Sequence, residues 1–192
     1  MGAVDHPLGA LAPLAAYPQF IVALRASKAP LCPSTAAPAN AHDPANWLTY
    51  EAAAAIVAQW GPGHFGVGFV LTDHDPFIVV DIDGALQSDG KWSDLSHDLC
   101  RSLPGAVVEL SQSGRGLHLW LKAKATPEHA NKRTDLHIEC YSAGRYVLLG
   151  SQATGAMVDD CPGIHDVVAR YFPPRAAAVA VVGDGDGDFW AW

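Results

Sequence analysis

The chain has 192 residues, of which 49% are hydrophobic and 17% charged, with a formal net charge of −8. That is the length of one sizeable domain with enough apolar surface for a core, which excludes a disordered or fibrous chain. No run reaches the roughly 18 apolar residues of a membrane helix, and MGAVDHPLGA lacks the basic start of a secretory signal, so a cytoplasmic protein with no membrane partner is expected.

In chain order, residues 1–16 read as a flexible Ala/Pro/Gly arm. Phe20 to Leu24 is a short apolar run whose length does not distinguish strand from helix, and residues 26–46, rich in Pro, Ala, Ser and Asn, read as a long ordered loop. Thr49 can cap a helix that runs through Trp60 and stops at Gly61. Gly66 to Leu71 and Phe77 to Asp83 are apolar runs separated by the turn residues Thr72 to Pro76. Ser93 opens a helix with Leu95, Leu99 and Leu103 on one face, ended by Pro104. Ala106 to Leu110 and Gly116 to Leu121 predict two strands around a polar turn. Thr126-Pro127-Glu128 predicts a short helix with Pro at its first position. Leu136 to Tyr141 and Arg145 to Leu149 predict a hairpin around Ser142-Ala143-Gly144, and a last helix spans about Ile164 to Tyr171. Strands joined by turns, with helices between, predict an α+β domain over residues 17–172. Residues 173–192 read as a linker and an acidic-aromatic tail ending DGDGDFWAW. That tail is suited to docking on a partner or on the domain's own basic surface.

Three segments carry candidate chemistry. In Phe77-Ile-Val-Val-Asp-Ile-Asp-Gly84, alternation puts Asp81 and Asp83 on one strand face, roughly 7 Å apart. Two carboxylates there suit a hard divalent ion such as Mg²⁺ or Mn²⁺, although the motif alone also reads as a strand end entering a turn. In Ser111-Gln-Ser-Gly-Arg-Gly-Leu-His118, Ser113, Gly114 and Gly116 form a turn whose backbone N–H groups could cradle phosphate. Arg115 adds a planar donor fork. His118 lies on the strand that leaves this turn, opposite in face to Leu117, Leu119 and Leu121; taken alone, it reads better as a satisfied structural histidine than as a ligand. In Asp135-Leu-His-Ile-Glu-Cys-Tyr141, Leu136, Ile138 and Cys140 face the core, and Glu139 could join Asp81 and Asp83. Arg145 could hold a phosphate or pair with Glu139. The four cysteines, Cys32, Cys100, Cys140 and Cys161, include no close pair, so no zinc site is expected and the thiols read as reduced.

The acidic total is unusual for a nucleic-acid protein, but residues 101–150 carry a local charge of +3, and steering follows the local potential.

In this order the motifs resemble the archaeo-eukaryotic primase superfamily, in particular the primase-polymerase domain of phage and plasmid replication proteins. The D-x-D strand matches at Asp81 and Asp83, the S-G-x-G-x-H segment at Ser113, Gly114, Gly116 and His118, and a later acidic strand residue at Glu139. The G-R-Y-V-L-L-G segment, Gly144 to Gly150, is also similar, and the resemblance covers about Phe20 to Gly155. It implies a primase-polymerase fold with an RRM-like, mixed or antiparallel catalytic sheet flanked by helices. It further implies two-metal nucleotidyl transfer with Mg²⁺ or Mn²⁺ on Asp81, Asp83 and Glu139, and triphosphate binding by Ser113, Gly114, Arg115, Gly116, His118 and Arg145. Nucleoside triphosphates, a single-stranded DNA template or primer, and a helicase or other replication protein are the implied partners, in a bacterial host cytoplasm. No segment resembles a P-loop helicase. Two rival readings remain: a non-catalytic nucleotide- or DNA-binding module of the same fold, and a metal-dependent nuclease.

Overall fold

The structure is a computed structural model that describes residues 7–174. Phe20–Leu24 (β1), Pro30–Leu31 (β2), Phe65–Leu71 (β3) and Arg145–Leu148 (β9) form a four-stranded sheet in the order β2-β1-β3-β9. A six-stranded sheet is built from Phe77–Ile82 (β4), Val107–Leu110 (β5), Leu117–Lys122 (β6), Lys132–Arg133 (β7), Ile138–Tyr141 (β8) and Gln152–Thr154 (β10). Its order is β10-β5-β6-β4-β8-β7. Every strand pair in both sheets is antiparallel. The α+β expectation holds, with an antiparallel large sheet and, among the described residues, three α-helices and two 3-10 helices.

The helices begin and end where their capping chemistry dictates. In Tyr50–Trp60 (α1), Thr49 accepts a hydrogen bond from the Ala52 N–H, and Gly61 closes the helix at φ 114°. Asp94–Ser102 (α2) is capped by Ser93, whose side chain accepts from the Ser96 N–H. Gly163–Tyr171 (α3) is the last helix.

The large sheet is covered on both faces. Leu117, Leu119, Leu121, Ile78, Val80, Ile82, Ile138 and Cys140 point to one side, where they pack with Leu99 and Leu103 beneath α2 and with Ile164 and Val168 of α3. Phe77, Val79, Val107, Trp120 and Tyr141 point to the other side and meet Phe20, Val22, Phe69 and Leu71 of the small sheet. The rings of Phe69 and Trp120 touch edge to face across this layer. A sheet buried on both faces explains the near-continuous apolar runs of β4 and β6.

Several sequence expectations are corrected. Residues 7–16 are not a loose arm: Gly9–Ala16 is a 3-10 helix with Leu11 and Leu14 buried in the layer between the sheets. Apolar side chains at 8, 11 and 14 recur every third residue, the period of a 3-10 helix. No helix follows Thr126, because the segment from 123 to 131 crosses as irregular chain. The predicted hairpin at Ser142 to Gly144 does not form, since β8 pairs with β4 and β7 while β9 pairs with β3 in the other sheet. The chain likewise changes sheets at Thr72 to Pro76. There the Asp75 carboxylate accepts from the Thr72 and Phe77 N–H groups and from the Gln19 side chain. Residues 1–6 and most of the acidic-aromatic tail, 175–192, lie outside the described residues.

Candidate active site

Antiparallel register assembles the site. Glu109 on β5 stands opposite His118 on β6, His118 opposite Asp81 on β4, Asp81 opposite Glu139 on β8, and Glu139 opposite Lys132 on β7. Residues directly opposite share a face, so one row of ionisable side chains crosses five strands on the side facing the small sheet. The row sits where the two sheets part into a cavity of about 400 Å³. Its lining includes Asp81, Asp83, Ser113, His118, Tyr141 and Arg145, together with Ser27 and Lys28 from the β1–β2 turn.

The electrostatics of the row follow from burial and company. Burial raises the pKa of Asp81 above the ordinary aspartate range. Asp83 and Glu139 push it the same way, while His118 and Lys28 oppose. His118 is buried, which disfavours its charge, yet its pKa is raised because the hydrogen bond to Glu109 and the charges of Asp81 and Glu109 outweigh burial. Its Nδ1 is 2.8 Å from Glu109 Oε2, and its Nε2 is 3.8 Å from Asp81 Oδ1. Glu139 is half-buried, which raises its pKa, but its partners pull it below the ordinary range. Lys132 donates to its Oε1 at 2.5 Å, the Tyr141 hydroxyl donates to Oε2 at 2.8 Å, and Arg145 approaches Oε2 at 3.7 Å.

Asp81 and Asp83 fit a hard divalent cation. They are oxygen-only donors at one cavity wall, and like charges side by side are costly without a counter-charge. Glu139 is directly across from Asp81, but its carboxylate is engaged by Lys132 and Tyr141. Among the described residues no group of three or more His, Cys, Asp or Glu side chains is arranged to hold a metal ion. The structure therefore brings two of the three expected carboxylates to the cavity and leaves the third beside it, paired with cations.

The Ser111–Gly116 turn differs from the expected phosphate cradle. Gly114 N–H bonds to Ser111 O, Arg115 N–H to Ser113 Oγ and Gly116 N–H to Ser111 Oγ, so the turn uses its own donors. Arg115 is exposed, and its guanidinium donates to Leu86 O rather than lining the cavity. What the turn presents to the cavity is Ser111, Gln112 and Ser113. The Gln112 Oε1 is buried without a hydrogen-bond partner, the condition of a polar group awaiting a ligand or water.

Sequence reading missed three contributors. Lys28, in the left-handed conformation at φ 57°, is held by a hydrogen bond from the Tyr146 hydroxyl to its carbonyl. Nothing in the spacing of the Ser111–Gly116 segment singles out Gln112. Glu109 is 1% exposed, and strand alternation, which puts it on the same face as Val107, is the local signal that it points inward. The basic stretch 101–150 is also less positive than its sequence suggests, because Lys122 and Lys124 pair with Asp159 and Asp160.

An α+β domain with an acidic pair, a buried histidine, a serine-rich turn and two cationic side chains around one cleft has the make-up of a site for a polyanionic ligand with a divalent cation. Comparison with known proteins gives that class a family. Residues 19–162 match the model of the bifunctional DNA primase/polymerase N-terminal domain, Prim-Pol, and the chain belongs to that family. It is also similar to the DNA primase-polymerase of Nitratiruptor phage NrS-1, with 29% identity over 157 residues. That match covers 78% of this chain and 21% of the phage protein, so the chain spans about a fifth of its relative's length.

Proposed function

We propose that this domain extends a nucleic-acid strand on a single-stranded DNA template, transferring nucleotidyl groups from nucleoside triphosphates. The observation that carries the reading is the shared cavity of about 400 Å³, which Asp81, Asp83 and His118 line together with Ser113, Arg145 and Lys28. Family membership and the phage primase-polymerase relative support the same reaction class.

In this reading Asp81 and Asp83 hold Mg²⁺ or Mn²⁺, and Glu139 joins them by giving up Lys132. The bound ions supply Lewis-acid stabilisation of charge on the attacking 3′-oxygen and the leaving pyrophosphate. His118, through the nitrogen that faces the cavity, Ser113 and Lys28 hold the triphosphate. Arg145 stands between that pocket and Glu139 and serves either. Arg115, Gly114 and Gly116 act by shaping the turn. Phosphoryl chemistry of this kind needs positioning and charge rather than a protein nucleophile. A helicase or other replication protein is the expected partner.

Asp81→Ala or Asp83→Ala should lower nucleotide incorporation by about a hundredfold or more, the scale of a lost electrostatic stabiliser, with the fold intact. The assay is primer extension with Mn²⁺ and labelled nucleotides, alongside circular dichroism. Near wild-type incorporation by folded Asp81→Ala would falsify the assignment. Nucleotide binding without incorporation by the wild type would favour a non-catalytic module, and primer shortening a nuclease.

A further inference from the structure

Glu109 has no place in the reaction just described, yet it is the most deeply buried ionisable side chain of the row, at 1% exposure. Burying a carboxylate is costly unless its oxygens are fully engaged. Here three donors converge on it. His118 Nδ1 and Trp120 Nε1 each lie 2.8 Å from Oε2, and the Gly150 N–H reaches Oε1 at 2.6 Å. Two of the donors, His118 and Trp120, come from β6, and the third comes from the link between β9 and β10.

Gly150 reaches Glu109 only because it lacks a side chain. A Cβ there would fall 1.7 Å from the Leu110 carbonyl oxygen. Trp120 is wholly buried among Phe69, Val107 and Phe77, so its indole N–H is fixed in position. The carboxylate is thereby locked from two sides, and its remaining partner is His118.

We infer that Glu109 is a positioning residue for nucleotide binding, orienting the His118 imidazole so that Nε2 faces the cavity. An ionised carboxylate only accepts, so the Nδ1 it contacts carries the proton, and ring rotation would break that bond. The fixed carboxylate plays the part that outer carboxylates play behind metal-bound or catalytic histidines. This inference rests on the assignment of His118 to the triphosphate.

The test is a double-mutant cycle on binding of deoxyadenosine triphosphate with Mg²⁺, measured by calorimetry on Glu109→Gln, His118→Ala and the double variant. Gln keeps the volume but offers one acceptor oxygen for three donors. Glu109→Gln should weaken binding about tenfold, the lower end of the cost of losing a histidine's orienting partner. In the His118→Ala background the same change should have no further effect. Trp120→Phe separates the carboxylate from its clamp, since it removes a donor from the same oxygen but leaves Glu109 to hold His118; it should lower the melting temperature and weaken nucleotide affinity less than Glu109→Gln does. In ¹⁵N-histidine spectra of the free protein, a protected His118 Nδ1–H should be present in the wild type and lost in Glu109→Gln. Additive losses in the cycle, or wild-type affinity in Glu109→Gln with His118→Ala weakened, would overturn the role of Glu109 alone. Unchanged affinity in His118→Ala would overturn the triphosphate assignment and the inference with it.

Discussion

Asp81 is where the cost of the site is concentrated. It lies between His118 and Glu139 on neighbouring strands, and burial together with Asp83 and Glu139 raises its pKa. The folded chain therefore binds this proton more tightly than the unfolded chain does. Stability falls as pH rises from the ordinary aspartate value of 3.8 through the raised folded value, and the deficit persists at neutral pH. Asp81→Asn cannot ionise, so in metal-free solution it should melt above the wild type at pH 7, with the gap closing below about pH 4. Added Mn²⁺ should raise the melting temperature of the wild type and not of the variant. A variant that melts lower than wild type at pH 7 would mean that its attraction to His118 and Lys28 dominates instead.

At the level of the element, the β5–β6 turn shows why two glycines, four and two residues before His118, are not equivalent. Gly114 has φ 69° and open space around its Cα. Gly114→Ala should therefore cost about 1 kcal/mol of left-handed strain and leave the site in place. A Cβ on Gly116 would lie 2.9 Å from Ile82 O and 3.0 Å from Ser111 Oγ. Gly116→Ala must displace either the strand end that carries Asp83 or the hydroxyl that closes the turn. It should lower both stability and nucleotide affinity, whereas Gly114→Ala lowers stability alone. Thermal melts and nucleotide titrations on the pair separate the two effects.

Across the whole molecule, the two sheets are joined by an aromatic cluster centred on Phe69. Its ring lies 5.0 Å from Phe20, 5.6 Å from Phe77 and 6.1 Å from Trp120, all near edge to face. Phe20 belongs to the small sheet, Phe77 and Trp120 to the large one. Phe69→Ala should cost about 3–5 kcal/mol, as for other buried aromatic truncations. Urea unfolding should shift its midpoint and remain a single transition, because the layer between the sheets is shared. Two resolved transitions would mean that the sheets unfold separately. Lys28 and Tyr146 from the small sheet line the cavity opposite Asp81 and His118 from the large one, so sheet packing sets the width of the site.

The sequence by itself determined what is local. Thr49, Gly61 and Ser93 mark helix ends because capping is decided within four residues. The faces of β4 and β6 follow from strand alternation, which put Asp81 apart from Ile82 and His118 apart from Leu117. The D-x-D and S-G-x-G-x-H motifs placed the chain in its family for the same reason: their spacing survives without any knowledge of pairing. Which strands become neighbours was decided only by tertiary structure. Ser142-Ala143-Gly144 and Thr72 to Pro76 have turn composition, yet both carry the chain from one sheet to the other, because β3 and β9 pair with each other in the small sheet while β4 and β8 pair in the large one. Register between successive strands engaged Glu139 with Lys132 and set Glu109 behind His118. The packing of the two sheets brought Lys28, 53 positions before Asp81, to the opposite wall of the cavity. Cross-strand register, absent from any short window of sequence, decides which charges meet.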